Sequence, residues 1–370
     1  MDRVAARTKI KVQRFHPSDD TLRLDATEIA SPFCRPLDPT RAFQASLDMA
    51  STTAASAKTP GGIPAPRVVI LMACRDGEKH LPEQLDSISR QSFEHWLLVA
   101  SDDGSTDATR AILEGFRDQV GADRVVIREG PRQGFQKNFL LLACDPQLRG
   151  DYYAFSDQDD VWEPDKLKKA VSVLSSLPPE APVVYGSRTQ LIDPSGKPIG
   201  YSPLFSRPPS FRNALVQNIA GGNTMVFNEP ARRVLAAWGS DVQIPTHDWW
   251  LYLLIMGAGG VVHYDPWPSV RYRQHGLNVI GGQTGWWARL RRVGGMLRGQ
   301  HRAWNTMHCR ALMTHLELLT PANRQLFAWF RESRGPSLPQ RISAARKARI
   351  YRQSWLGNAG LVASVVLKRL

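Results

Sequence analysis

Between Arg67 and Ser187 short apolar runs alternate with amphipathic stretches, and this alternation leaves few folds open. Val68–Met72, Trp96–Ser101, Arg124–Arg128, Tyr152–Ser156 and Val183–Gly186 read as strands, rich in β-branched and aromatic residues. Glu78–Gln91, Thr106–Asp118, Gln136–Cys144 and Pro164–Leu177 read as the helices between them. Leu81, Leu85 and Ile88 share one face of the first helix, and Ser105 or Thr106 is a candidate N-cap of the second. Strict strand–helix alternation predicts an α/β domain, a mostly parallel sheet with helices on both faces. Ligands of such sheets gather at the carboxyl ends of the strands.

Two acidic clusters fall at those ends: Ser101-Asp102-Asp103-Gly104-Ser105-Thr106-Asp107 and Ser156-Asp157-Gln158-Asp159-Asp160-Val161-Trp162. Three carboxylates within four residues repel one another unless a cation or strong donors offset them. On an extended chain Asp157 and Asp159 project to the same side. Such paired hard oxygens suit Mg²⁺ or Mn²⁺, which in turn can hold a diphosphate. The plainer alternative is an acidic turn in which Asp160 caps the helix near Pro164.

The order of motifs resembles the family 2 glycosyltransferases of GT-A fold, rhamnosyltransferase-like branch. The residues that carry the likeness are Gly77-Glu78-Lys79-x-Leu81-x-Glu83-Gln84-Leu85, the two acidic clusters, and Gly134-Phe135-x-Lys137-Asn138-Phe139. With them go Pro164-Asp165-Lys166-Leu167, Gly221-Gly222-Asn223-Thr224-Met225, His247-Asp248-Trp249-Trp250 and Tyr272-Arg273-Gln274-His275-Gly276-x-Asn278. The likeness spans about residues 67–282.

The resemblance implies a nucleotide-sugar site formed by Cys74, Arg75, Asp76, Asp102, Asp103, Lys137, Asp157 and Arg273. A carboxylate there can accept from a base imide N–H, which favours a dTDP- or UDP-sugar. It implies a divalent metal held by Asp157, Asp159 and His275, with Arg273 and His275 on a loop closing over the diphosphate. Asp248 would be the general base for the acceptor hydroxyl, and Gly221, Gly222, Asn223 and Trp249 would shape the acceptor pocket. The family's Thr-Tyr-Asn-Gly after the first strand is here Cys74-Arg75-Asp76-Gly77, so Arg75 could instead contact phosphate.

Three regions follow: an irregular leader and linker over 1–66, with a short helix around Pro39–Met49; the GT-A domain over 67–282, divided near 187 into nucleotide and acceptor halves; and a basic, Trp-rich helical region over 283–370. The net charge of +13 resides in the last of these. Trp286–Leu370 holds 16 Lys and Arg against Glu317 and Glu332, and the remainder of the chain is close to neutral. Paired Trp286 and Trp287 beside arginines suggest contact with an anionic membrane surface. The plainer reading is a basic helical region packed on the core. His301, His308 and His315 recur every seven residues, which predicts one shared helix face, either pH-sensitive or simply packed.

No window holds the ~18–20 apolar residues of a transmembrane helix. Four scattered cysteines and a leader without an apolar core point to a cytoplasmic protein, peripheral on the inner membrane face. The expected function is inverting transfer of a sugar, rhamnose by the branch resemblance, to a surface polysaccharide or lipid-linked glycan. The rivals are a sugar-nucleotide nucleotidyltransferase, which lacks its Gly-rich, basic signature here, and a non-catalytic binding module with a basic tail. Nucleic acid is not expected as a partner, because no recognition motif accompanies the charge.

Overall fold

Seven apolar residues, Val68–Cys74, form β1, which lies inside the sheet with β2 (Trp96–Asp102) and β4 (Tyr152–Ser156) parallel on its two sides. The computed structural model describes residues 66–274 and 300–370. The expected leader helix and His275 lie outside the described residues, as do Trp286 and Trp287.

The other strands are β3 (Val125–Glu129), β5 (Val161–Trp162), β6 (Val183–Ile192), β7 (Pro198–Tyr201), β8 (Val226–Asn228) and β9 (Val261–Arg273). The sheet order is β3-β2-β1-β4-β8-β6-β9-β5, with β7 paired to β6. The sheet is mixed, but its long pairings are parallel: seven residue pairs join β1 to β2 and ten join β6 to β9. The antiparallel partners of β8 meet it over only two or three residues.

The helices are α1 (Leu81–Ser89), α2 (Thr109–Val120), α3 (Phe135–Cys144), α4 (Lys166–Ser175), α5 (Phe211–Ala214), α6 (Glu229–Trp238) and α7 (His247–Gly257). After the undescribed stretch come α8 (Gln300–Met313), α9 (Pro321–Glu332), α10 (Leu338–Ala348) and α11 (Trp355–Val366). Alternate residues of β1 feed two cores. Val68, Ile70 and Met72 pack with Leu81, Leu85 and Ile88 of α1, Leu113 of α2 and Leu167 of α4. Val69 and Leu71 belong with α3, α6 and α7, and that core continues into Leu312, Phe327, Phe330 and Leu361 of the C-terminal helices. The period of two along a strand therefore places helices on both faces. Full burial of each such side chain is worth about 1.5–3 kcal/mol.

The first four strands follow the pattern expected from the sequence, and the differences have local causes. Helix α1 begins at Leu81 because the backbone before it is tied elsewhere: Gly77 N–H donates to Thr109 Oγ1 at 2.7 Å and Glu78 N–H to Asp107 Oδ2 at 2.9 Å. Neither Ser105 nor Thr106 caps α2, whose N-cap is Ala108; the Ser105 hydroxyl is bonded to Asp102. The fifth expected strand runs on to Ile192, and β8 and β9 were not foreseen. Pro266 and Pro268 inside β9 break the strand signature, and the pairing with β6 shifts register beside them. His315 falls beyond the end of α8, so the three histidines do not share one helix face. His308 is buried against Trp249 and Trp250. Among the described residues no helix is long and apolar enough to cross a membrane.

Candidate active site at the carboxyl edge of the sheet

Parallel β1, β2 and β4 deliver Cys74, Asp102 and Ser156 to one edge of the sheet. Loops 75–80 and 103–108 are joined there by their own polar groups. Asp76 adopts a left-handed φ of 47°, its N–H donates to Ser105 Oγ at 2.9 Å, and its Oδ1 accepts from Thr106 N–H at 2.8 Å. Asp is among the few residues that visit this region, and the bonds to Ser105 and Thr106 of the neighbouring loop hold Asp76 there. The side chains of Arg75 and Asp76 are left about half exposed, at 60% and 48%.

Asp102 and Asp103 are both buried. Asp102 Oδ1 accepts from the N–H and hydroxyl of Ser105, at 2.9 and 2.5 Å. Asp103 spans to the loop after β3, accepting from Arg132 N–H at 2.5 Å and Gly134 N–H at 2.9 Å. Both carboxylates thus order the loops around the edge. Burial, with Asp102 and Asp159 nearby, pushes the Cys74 thiol far up, so it stays neutral.

The run after β4 splits by role. Gln158 turns to the first loop, where its side-chain amide pairs with the Arg75 backbone. Asp157 faces Asp159 and Asp248, and burial together with their charge pushes its carboxyl up to about 7. Asp248 arrives from the first turn of α7 and is anchored on both oxygens. Its Oδ1 accepts from Trp249 N–H at 2.6 Å and its Oδ2 from Gly222 N–H at 3.1 Å. Asp160 does not cap α4. It is fully buried, accepting from Asn223 Nδ2 at 2.6 Å and from Arg273 N–H at 3.1 Å. Burial, then Asp159 and Asp157, raise its carboxyl well above the usual range. Lys166 is also fully buried, its Nζ 3.2 Å from the Trp162 ring centroid and without a hydrogen-bond partner. Burial holds its ammonium well below the usual value, against the pull of Asp160 and Asp157.

Among the described residues no three His, Cys, Asp or Glu side chains converge closely enough to hold a metal ion. Asp157 and Asp159 still fit a hard cation bound by two carboxylates plus substrate oxygens, the usual arrangement for Mg²⁺. Burial, together with the charges of Asp159 and Asp248, raises Asp157, and such a cation would offset both.

Residues 69–235 match the family model described as Glycosyl transferase family 2. The chain carries a family 2 glycosyltransferase domain. The chain is 28% identical over 231 residues to the dTDP-rhamnosyl transferase RfbG of Shigella flexneri, covering 60% of this chain and 78% of RfbG. Solved structures also align, among them the following two. S. aureus TarS 1–349 with UDP-GlcNAc covers 76% of this chain and 90% of its own, at 14% identity and a TM-score of 0.45. The mannosyltransferase PcManGT of Pyrobaculum calidifontis, in complex with GDP-Man and Mn²⁺, covers 89% and 94%, at 20% identity and a TM-score of 0.44.

Several expected site residues of this glycosyltransferase lie elsewhere than foreseen. Arg273 is the last residue of β9, not part of a loop, and is 1% exposed. Its guanidinium donates to Glu83 Oε2 at 2.5 Å, Asp159 O at 3.0 Å and Pro194 O at 3.1 Å. Lys137 Nζ donates to Ser240 O at 3.0 Å and pairs with Asp241. Trp249 is packed in the core, with Nε1 donating to Ala214 O at 2.7 Å and its ring edge-on to His308. The sheet edge does bring Gly222, Asn223, Asp157, Asp159 and Asp248 together. The roles of Gln158, Asp160 and Lys166 follow from the fold and not from the motifs that contain them. An uncharged amide between two carboxylates, and a lysine following Asp-Asp-x-Trp, were the available signals.

Proposed function

We propose that this glycosyltransferase is inverting and metal-dependent. It moves a sugar, rhamnose in this reading, from a dTDP- or UDP-linked donor to a surface polysaccharide or lipid-linked glycan. It does so in the cytoplasm, at the inner face of the plasma membrane. The observation that carries the reading is the turn at Gly222 and Asn223, which bonds Asp248 of α7 through Gly222 N–H and Asp160 through Asn223 Nδ2, and so brings Asp248 to the acidic run at the carboxyl edge of the sheet. The similarity to RfbG supports the choice of donor.

In this reading the acceptor hydroxyl oxygen attacks the anomeric carbon from the side opposite the diphosphate. The new C–O bond forms as the bond to the diphosphate breaks, its electron pair leaving with the nucleoside diphosphate. The hydroxyl proton passes to the Asp248 carboxylate, held toward the site by the amides of Gly222 and Trp249. Asp157 and Asp159 would hold the divalent cation, which when bound supplies positive charge for the departing diphosphate. In this reading exposed Arg75 and Asp76 meet the nucleotide, and Gly221, Gly222 and Asn223 border the acceptor. Arg273 acts as a positioning residue, holding Asp159 and Asp160 through their main chain and carboxylate.

The test is calorimetric titration of dTDP, UDP and GDP, with Mg²⁺ or Mn²⁺, into wild type and Asp159→Ala. Metal-dependent binding of one pyrimidine diphosphate, abolished in the variant, is the expected result. Failure of every nucleoside diphosphate to bind would overturn the reading.

A further inference from the structure

We infer that the outer face of α11 docks on an anionic phospholipid bilayer. This deepens the membrane part of the reading above and does not depend on the donor site. Helix α11 buries Leu361, Ser364 and Val365 against the core. Its opposite side is also apolar, with Trp355 81%, Val362 64% and Leu367 55% exposed, and Leu356 and Val366 beside them. At 100° per residue Trp355, Ala359, Val362 and Val366 form one stripe. A surface helix of a soluble domain places polar residues there. No charged residue occurs between Arg352 and Lys368.

The surroundings identify the occupant. From Gln300 to Leu370 there are twelve Lys and Arg against Glu317 and Glu332, and no acidic residue follows Glu332. Lys368 and Arg369 are exposed at the end of α11. The neighbouring α10 is tied to it by Arg341, which donates to the carbonyls of Val365 and Val366 at 2.8 and 2.9 Å. On α10 a groove of about 490 Å³ is lined by Leu338, Pro339, Ile342, Ser343, Arg346 and Lys347, again apolar with a cationic rim. An apolar stripe carrying Trp and bordered only by cations matches the interface of an anionic membrane. A second copy of the chain would set two cationic rims against each other. At ~1.5 Å per residue α11 is too short to span a ~30 Å hydrocarbon core, so it lies in the plane of the interface.

The experiment is co-sedimentation of the full chain with phosphatidylcholine–phosphatidylglycerol vesicles and with phosphatidylcholine vesicles alone. Wild type is expected to bind the anionic vesicles, less tightly as salt rises. Trp355→Ser with Val362→Ser should weaken partition by about tenfold or more, because two interfacial apolar groups are lost. Lys368→Gln with Arg369→Gln should flatten the salt dependence. In both variants the melting temperature and dTDP affinity should match wild type, so a failure here is separable from failure of the donor site. The inference is overturned if wild type ignores anionic vesicles or the serine variant binds them undiminished. It is also overturned if the face instead mediates a dimer that the serine variant dissolves, or takes duplex DNA in preference to vesicles.

Discussion

The side-chain amide of Gln158 forms a two-bond pair with the backbone of Arg75, Oε1 accepting from its N–H at 2.7 Å and Nε2 donating to its carbonyl at 2.8 Å. An amide satisfies both partners where a carboxylate could satisfy one. It links the acidic run after β4 to the loop after β1, eighty-three residues away in sequence.

Removing that link should loosen the first loop. Two hydrogen bonds at about 0.5–1.5 kcal/mol each correspond to roughly tenfold weaker nucleotide binding in Gln158→Ala. Gly77→Ala should reproduce the effect, since a Cβ there would lie 2.6 Å from Gln158 Oε1 and displace the amide. Calorimetric titration of dTDP into both variants checks this, and unchanged affinity in both would refute it.

Asp248→Asn should lower kcat by about 10²–10⁴-fold, the contribution of a general base. The asparagine oxygen can still accept from Gly222 N–H, so donor affinity should stay near wild type. Gly222→Ala should be more damaging to the fold. Its Cβ would come within 2.4 Å of His247 Nε2, a side chain locked between Phe139 and Phe155. Steady-state kinetics and thermal melts of the two variants separate these effects.

Asn223→Ala leaves Asp160 Oδ2 buried without its 2.6 Å donor. An unsatisfied buried acceptor costs about 1–3 kcal/mol, more if charged. Denaturant unfolding should show that loss in the midpoint with an unchanged slope.

The buried histidines predict acid sensitivity. Burial lowers His247 to about 4, against the opposing pull of Asp248, and lowers His308 to about 3. As pH falls below the unfolded value of 6.5, the unfolded chain takes up protons that the folded chain refuses, so stability drops. The loss accumulates down to about 4 for His247 and about 3 for His308. Each histidine contributes at most about 1.4 kcal/mol per pH unit in that window. The raised carboxyl of Asp157 acts in the opposite sense, its penalty growing as pH rises toward 7. The clean measurement is therefore the difference between wild type and His308→Phe. That difference should change with pH below 6.5 and be flat above it.

Local patterning was sufficient for β1 to β4 and α3, because each is read from side chains within one turn or one pleat. It was also sufficient to find Asp157 and Asp159 as candidates, since unneutralised carboxylates at strand ends are visible in one dimension, whereas Asp248 entered only through the family resemblance. The partners of each carboxylate were not visible. Asp160 pairs with Asn223 and Arg273, 63 and 113 residues away, and Arg273 reaches back 190 residues to Glu83. Whether a charged group meets water, a ligand or another part of the chain depends on which elements the sheet order places side by side. The insertion of antiparallel β8 between β4 and β6 made that decision here, carrying the Gly221–Asn223 turn to the acidic edge. Periodicity reports only which way a side chain points relative to its own element. Packing of elements distant in sequence decides what lies in that direction.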